Sequence, residues 1–415
     1  MDVEARISSL GDGPLNESLL REHIWPLFSR VKEAERSSDE IYLANHSLGR
    51  PLDCIVEDVA RGLAIWYERM DGAWEDEGWP AEIARFRQRI ANLLGISRPS
   101  SIVPKTSAGQ GLRAVLNSLP RNGALRPVRV VATEGEFDSI DFILKTYVHK
   151  GRAAVNWVKP SLDDRGVPLF ESGKIRELIV PGVDLVVLSK VCFTTGQIIA
   201  NIEDIVERSH QCGALVLVDA YHAAGVIPLS MESDGIDFMI GGSYKYTRGG
   251  PGVCWLAIHP EIAESELRTL DTGWFAKKEP FAYERAEEPM QAAGGDGWLE
   301  STPPVVTYYQ ASAGLRLTLG LGVDRLRTYS LTQQALLREA LQRQGIQCFA
   351  PDVAESFGAF SLLPSSDAKL VSEKLKSAGV ITDSRGKFVR FGPDILTSSE
   401  ELEEAARRAA SVLNV

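Results

Sequence analysis

The segment GGSYKYTRGGPG (241–252) sets Lys245 beside Tyr244 and Tyr246 and between two glycine pairs. Glycines let a backbone approach a bulky ligand and take up turns closed to other residues. A lysine held in such a place, with its basicity depressed enough to free the amine, can form an imine with an aldehyde cofactor. A loop lysine on the surface reads the same in isolation, so its neighbours matter. Ser189 follows the apolar run DLVVL, Asp219 follows ALVLV, and Lys245 comes shortly after IDFMI. If those runs are strands of an open α/β sheet, all three fall at the carboxyl edge, where ligands bind.

Asp219 narrows the chemistry. Pyridoxal 5'-phosphate (PLP) acts as an electron sink only while its ring nitrogen stays protonated, and a carboxylate facing that nitrogen secures this. A charge ending an apolar strand is costly without a cationic partner. An aspartate capping the following turn is the plainer alternative. The phosphate needs donors, and PKTSAGQG (104–111) offers the hydroxyls of Thr106 and Ser107 at the opening of a helix, whose free N–H groups attract anions. An ordinary N-cap gives the same pattern. Phe137 is placed to stack on a pyridine ring, or to be simple core.

These residues need a scaffold. Apolar strand-like runs at 127–133, 153–158, 184–188, 214–218, 236–240 and 253–258 alternate with helical patterns near 108–118, 138–149 and 202–212. Short, continuously apolar strands suit a sheet covered by helices on both faces. Before them come a helical stretch near 18–36, the polar turn IYLANHSLGRP, and helices near 53–70 and 81–94. From 261 to 304 the chain is irregular and rich in Gly, Trp and charge. A helix near 323–344 leads into a smaller α+β unit, with strands near 347–350, 358–362 and 388–391 and helices near 367–378 and 399–413. The expected division is an N-terminal segment (1–50), a large domain (51–310) and a small C-terminal domain (311–415).

Composition excludes several other classes. A chain of 415 residues carrying a net charge of −11 is a poor match for nucleic acid or an anionic membrane surface. Its five cysteines are scattered, without zinc-site spacing or a disulfide framework, as expected of reduced thiols in a cytoplasmic protein. No metal site is expected, and no apolar run is long enough to span a membrane. GGPG (249–252) and GLGV (320–323) lack the strand–GxGxxG–helix context of a dinucleotide site.

The blocks SKVCFTTGQ (189–197), VDAYHAAGVIPL (218–229) and DFMIGGSYKYTRGGPG (237–252) resemble the kynureninase branch of the class V aminotransferase superfamily. The likeness runs from IYLANHSLG (41–49) through DTGWF (271–275) and STPPV (301–305) to GVITDSRGKFVRFGP (379–393). It implies a fold-type-I PLP enzyme: a mostly parallel seven-stranded sheet between helices, a smaller C-terminal domain packed with the N-terminal segment, and a homodimer with shared active sites. By resemblance Lys245 carries the Schiff base, Asp219 faces the ring nitrogen and His222 lies against the cofactor. Thr106 and Ser107 match the phosphate loop, and Phe137 the stacking aromatic, with Ser139 two residues on. Ser189, Tyr244, Trp274 and Thr302 match cofactor contacts, the last two reaching across from the partner subunit. Arg390 matches the arginine that grips the substrate α-carboxylate, and Trp74 an aromatic near its aryl ring.

Three residues depart from the family pattern. Ile140 stands where kynureninases carry an aspartate, Cys192 replaces an asparagine or histidine, and His46 interrupts the usual Gly-Asn-Ser-Leu-Gly. The resemblance implies hydrolytic Cβ–Cγ cleavage of kynurenine or a related γ-keto amino acid, with Tyr244 as proton shuttle. Transamination and carbon–sulfur lyase chemistry on another small amino acid are the alternatives, and a catalytically silent PLP-fold binding module is a third.

Overall fold

The computed structural model describes residues 2–120 and 125–413. Seven strands form the main sheet: β1 (Ile102–Lys105), β2 (Val128–Thr133), β3 (Ala153–Val158), β4 (Leu185–Ser189), β5 (Leu215–Asp219), β6 (Phe238–Gly242) and β7 (Cys254–Ile258). Their spatial order is β1-β7-β6-β5-β4-β2-β3. β7 runs antiparallel to both neighbours, and the five strands from β6 to β3 are mutually parallel. This is the expected α/β architecture. The strand missing from the sequence reading is β1, whose four residues are too short to show a pattern.

Alternation along β4 shows why the runs are continuously apolar. Val186 and Leu188 enter the core on one face of the sheet, Leu185 and Val187 the core on the other, and all four are fully buried. Helices α1 (Ala108–Leu116), α2 (Asp138–His149) and α3 (Ile202–Gln211) follow β1, β2 and β4, as the patterns predict. The run expected at 18–36 is broken. A π turn at Leu20–Ile24 gives way to a 3-10 turn at Trp25–Phe28 before the helix Ser29–Ser38, because Pro26 supplies no backbone N–H.

One long helix, α4 (Val305–Leu321), escapes the sequence reading. It packs on the helices Ile55–Arg69 and Trp79–Leu94 and is buried nearly all round, so it has no polar stripe to set a period. α5 (Val323–Arg343) then leads to a three-stranded antiparallel sheet of β8 (Ser361–Pro364), β9 (Asp383–Arg385) and β10 (Phe388–Phe391) in the order β8-β10-β9. The strand expected near 347–350 reduces to a single bridge between Phe349 and Leu362. Ile41–Tyr42 pairs in parallel with Val380–Ile381, joining the N-terminal segment to the C-terminal unit.

Candidate active site

Ser189 and Asp219 end the adjacent parallel strands β4 and β5 directly opposite each other. Lys245 arrives on the turn after β6, which Gly49 clamps from the N-terminal segment. The Gly49 N–H donates to the Tyr244 carbonyl at 3.2 Å, and a Cβ at Gly49 would stand 1.9 Å from the Lys245 carbonyl oxygen. No side chain fits there.

Ten of the residues predicted from sequence line one cavity of about 610 Å³: Thr106, Ser107, Phe137, Ser139, Ser189, Asp219, His222, Tyr244, Lys245 and Arg390. The Lys245 amine lies 2.5 Å from Nε2 of His222, 4.9 Å from the Tyr221 ring centre and 5.5 Å from that of Phe137. Burial lowers its pKa to about 7, against the pull of the Asp219 charge and with help from Arg390 and Arg385. Such an amine is available as a nucleophile near neutrality. Burial, then the charges of Lys245 and Arg390, push His222 well below its usual value, so the neutral imidazole accepts from the amine.

Asp219 is 6% exposed. Its Oδ1 accepts from the Tyr221 N–H at 2.7 Å, so the turn-capping reading is correct for that oxygen. Oδ2 has no hydrogen-bond partner among the described residues. Burial raises the carboxyl, opposed by the Tyr221 hydrogen bond and Lys245. A buried carboxylate oxygen left open in a cavity fits a protonated ring nitrogen, which would complete it. Ser107, which also lines the cavity, caps α1, its Oγ accepting from the Gln110 N–H at 3.1 Å. The first N–H groups of α1 therefore open on the cavity beside Thr106 and Gly109, a fitting cradle for a phosphate. The residues present fit PLP.

Arg390 is almost wholly buried, and its orientation is set before any substrate arrives. Nε and Nη2 donate to the two oxygens of Asp383 at 2.7 and 2.5 Å, and Nη1 donates to the Phe193 carbonyl. A guanidinium has five N–H groups, which leaves one on each terminal nitrogen. Asp383 is fixed in turn by Nε2 of His46 at 2.8 Å and by the Ser47 hydroxyl. Burial alone would raise Asp383, but the hydrogen bonds from His46 and Arg390 win and hold it well below the carboxylate range. Arg385 lines the same cavity with its side chain 41% exposed.

Trp74, Trp274 and Thr302 stand outside this cavity in the same chain. Trp74 packs on Trp79, Phe275 and Phe281 at ring separations of 5.1 to 6.2 Å, and Trp274 joins the cluster through Phe275 at 4.4 Å. The Thr302 segment runs alongside, with the Phe275 N–H donating to the Glu300 carbonyl. Of the three departures, Ile140 and His46 line the cavity, whereas Cys192 is buried in the core outside it. The sequence pattern gives no site role to Glu136, Ser47 or Asp383 and marks His46 only as a departure.

Residues 77–406 match the family model described as aminotransferase class-V. The chain belongs to this family. A kynureninase of Pseudomonas fluorescens is 27% identical over 384 residues, covering 90% of this chain and 89% of that protein. An uncharacterized aminotransferase of Bacillus subtilis, YcbU, is 25% identical, covering 86% and 91%. Among solved structures, the cysteine desulfurase CsdA of Escherichia coli superposes with a TM-score of 0.78 at 15% identity, covering 97% of this chain and 99% of its own. The cystine C–S lyase C-DES gives 0.75 at 19%, covering 89% and 97%. These likenesses fix the fold as that of fold-type-I PLP enzymes.

Proposed function

We propose that the protein is a PLP-dependent hydrolase that cleaves the Cβ–Cγ bond of kynurenine or a related γ-keto amino acid and releases alanine. The observation that carries it is one cavity holding a deprotonatable amine, a hydroxyl free to shuttle protons and an apolar wall. Lys245 would carry the cofactor, with Asp219 at the ring nitrogen, Phe137 and His222 against the ring, and Thr106, Ser107 and α1 at the phosphate. Ser139, Ser189 and Tyr244 would complete the contacts. Trp274 and Thr302 would contribute to the partner's site in a homodimer, and Trp74 would sit at that border. Bound there, PLP supplies the electron sink for carbanion chemistry next to the amino-bearing carbon.

The chain's own groups then divide the work. The free N–H on each terminal nitrogen of Arg390 holds the α-carboxylate end-on. Once displaced by substrate, the Lys245 amine removes the α-proton. Water adds to the γ-ketone, and the Tyr244 hydroxyl, which has no protein partner among the described residues, moves protons at the carbonyl oxygen and its hydrate. Phe142, Ile143 and Phe193 line the cavity and suit a departing aryl-acyl group. The family resemblance at about 90% coverage of a kynureninase supports the same assignment.

A specific observation supports transamination or carbon–sulfur cleavage as the second reading: Ile140, 1% exposed, presents hydrocarbon to the cavity where kynureninases present a carboxylate. Incubation with L-kynurenine separates the two. Alanine and anthranilate released without a keto-acid acceptor support hydrolysis. Acceptor-dependent keto-acid formation, or pyruvate and sulfide from cysteine derivatives, overturns it.

A further inference from the structure

Glu136 precedes the ring-stacking Phe137 and is 4% exposed, although nothing in the mechanism uses it. Its carboxyl lies across the carboxyl ends of β2 and β4. Oε1 accepts from Thr133 Oγ1 at 2.5 Å and from the Ser189 N–H at 3.2 Å, and Oε2 accepts from Ser189 Oγ at 2.7 Å. Ser189 is the register partner of Asp219. Thr133, Ser189 and Asp219 therefore end three neighbouring strands, and Glu136 spans the first two from behind the cavity wall.

Three donors thus meet two oxygens, a set that a neutral glutamine, with one acceptor oxygen, satisfies only in part. Glu136 also carries a charge that its surroundings resist. Burial raises it to about 7, the Thr133 and Ser189 hydrogen bonds oppose this, and the Asp219 charge adds to it. The ionisable groups it faces are Asp219 and the Cys192 thiol, which burial and then the Glu136 charge push up.

We propose that Glu136 is a positioning residue for the cofactor ring: through Ser189 it lends a second, titratable carboxyl to the Asp219 end of the cavity and sets how strongly that end holds positive charge. The inference rests on PLP at Lys245 and is independent of the substrate. An ionised Glu136 adds negative potential, so it favours the protonated forms of the bound cofactor. Its loss must favour the deprotonated ones.

The test is the pH midpoint of the visible absorbance of the holoenzyme, with borohydride fixation checking that the label is on Lys245. Glu136→Gln can keep its oxygen on the Ser189 N–H and Thr133 hydroxyl while its amide donates to Ser189 Oγ, and it should lower the midpoint by about half to one pH unit, the effect of one nearby charge at an intermediate dielectric. Thr133→Val keeps the carboxyl and leaves the cavity lining intact but removes a hydroxyl that stabilises the ionised form, so it should move the midpoint the same way by less. Were Glu136→Gln not to fold, Thr133→Val alone would answer. A midpoint unmoved in the variant that binds PLP overturns the inference and leaves the cofactor assignment standing. A wild-type protein with no visible band overturns both.

Discussion

Asp383 lies directly across a tight hairpin from Arg390 and binds its guanidinium through both carboxylate oxygens. On the proposed function, the substrate carboxylate would therefore meet an arginine already oriented and partly neutralised. Removing the clamp leaves the cation in place but frees it to turn. Asp383→Asn should raise KM about tenfold, equivalent to about 1.4 kcal/mol of carboxylate binding, with an unchanged visible spectrum. Steady-state kinetics checks this, and an unaltered KM would place the carboxylate elsewhere, with Arg385 next in line.

Arg390→Lys tests the fork itself. An ammonium cannot satisfy Asp383 bidentately and still present two parallel donors. KM should rise by more than in Asp383→Asn, by about a hundredfold, with PLP bound normally. Equal KM values in the two variants would mean that the clamp, not the fork, carries the binding.

Some of this site is legible in the chain and some is not, for physical reasons. Ser189 and Asp219 announce themselves because each ends an apolar run, where a polar group needs a purpose, and Lys245 follows such a run between two glycine pairs. Asp383 was also readable. The turn at Gly386 and Lys387 closes a two-residue hairpin, and counting back from it sets 383 opposite 390. Glu136 was not. A glutamate in EGEF looks like a solvated turn, and only the packing of β2 against β4 shows it to be buried. α4 failed the other way, since a helix apolar on every face carries no period.

The Lys245 amine should show its depressed basicity before any catalysis. A base lowered to about 7 is mostly neutral above that pH and mostly protonated below it. Cofactor uptake by apo-protein should therefore accelerate from about pH 6 to about pH 8 and level off above. The charge of Asp219 raises the amine, so Asp219→Asn should move this profile to lower pH. Stopped-flow absorbance reads both, and a profile still rising at about pH 10 would mean an ordinary lysine.

Asp219→Asn carries a second consequence. Among the described residues that line the cavity Asp219 is the one carboxylate, and on the proposed function its open oxygen would hold a proton on the ring nitrogen. Turnover should fall by about a thousandfold or more while the fold and PLP content persist, since the loss is of electron-sink character and not of binding. Near-normal kcat would restrict the carboxylate to its hydrogen bond with Tyr221.

His46 provides the sharpest distinction between charge and hydrogen bonding. Buried and beside Arg390, it is lowered to about 4 despite its contact with Asp383. Above about pH 5 the ring is therefore neutral, and it serves Asp383 only as an Nε2–H donor. Its other nitrogen lies against Gly392, where a Cβ would come within 2.3 Å of Nδ1, and has no hydrogen-bond partner among the described residues. A glutamine places an N–H donor close to the position of Nε2 and carries no titratable charge. His46→Gln should therefore hold KM within about threefold of wild type, whereas His46→Leu strips a donor from the buried Asp383 and should raise it about tenfold. Neither variant should alter the pH profile of kcat/KM between about pH 6 and about pH 8, because no proton on this ring titrates there. Loss of an ionisation in that range from His46→Gln would show that the imidazolium, and not the neutral ring, is the working form.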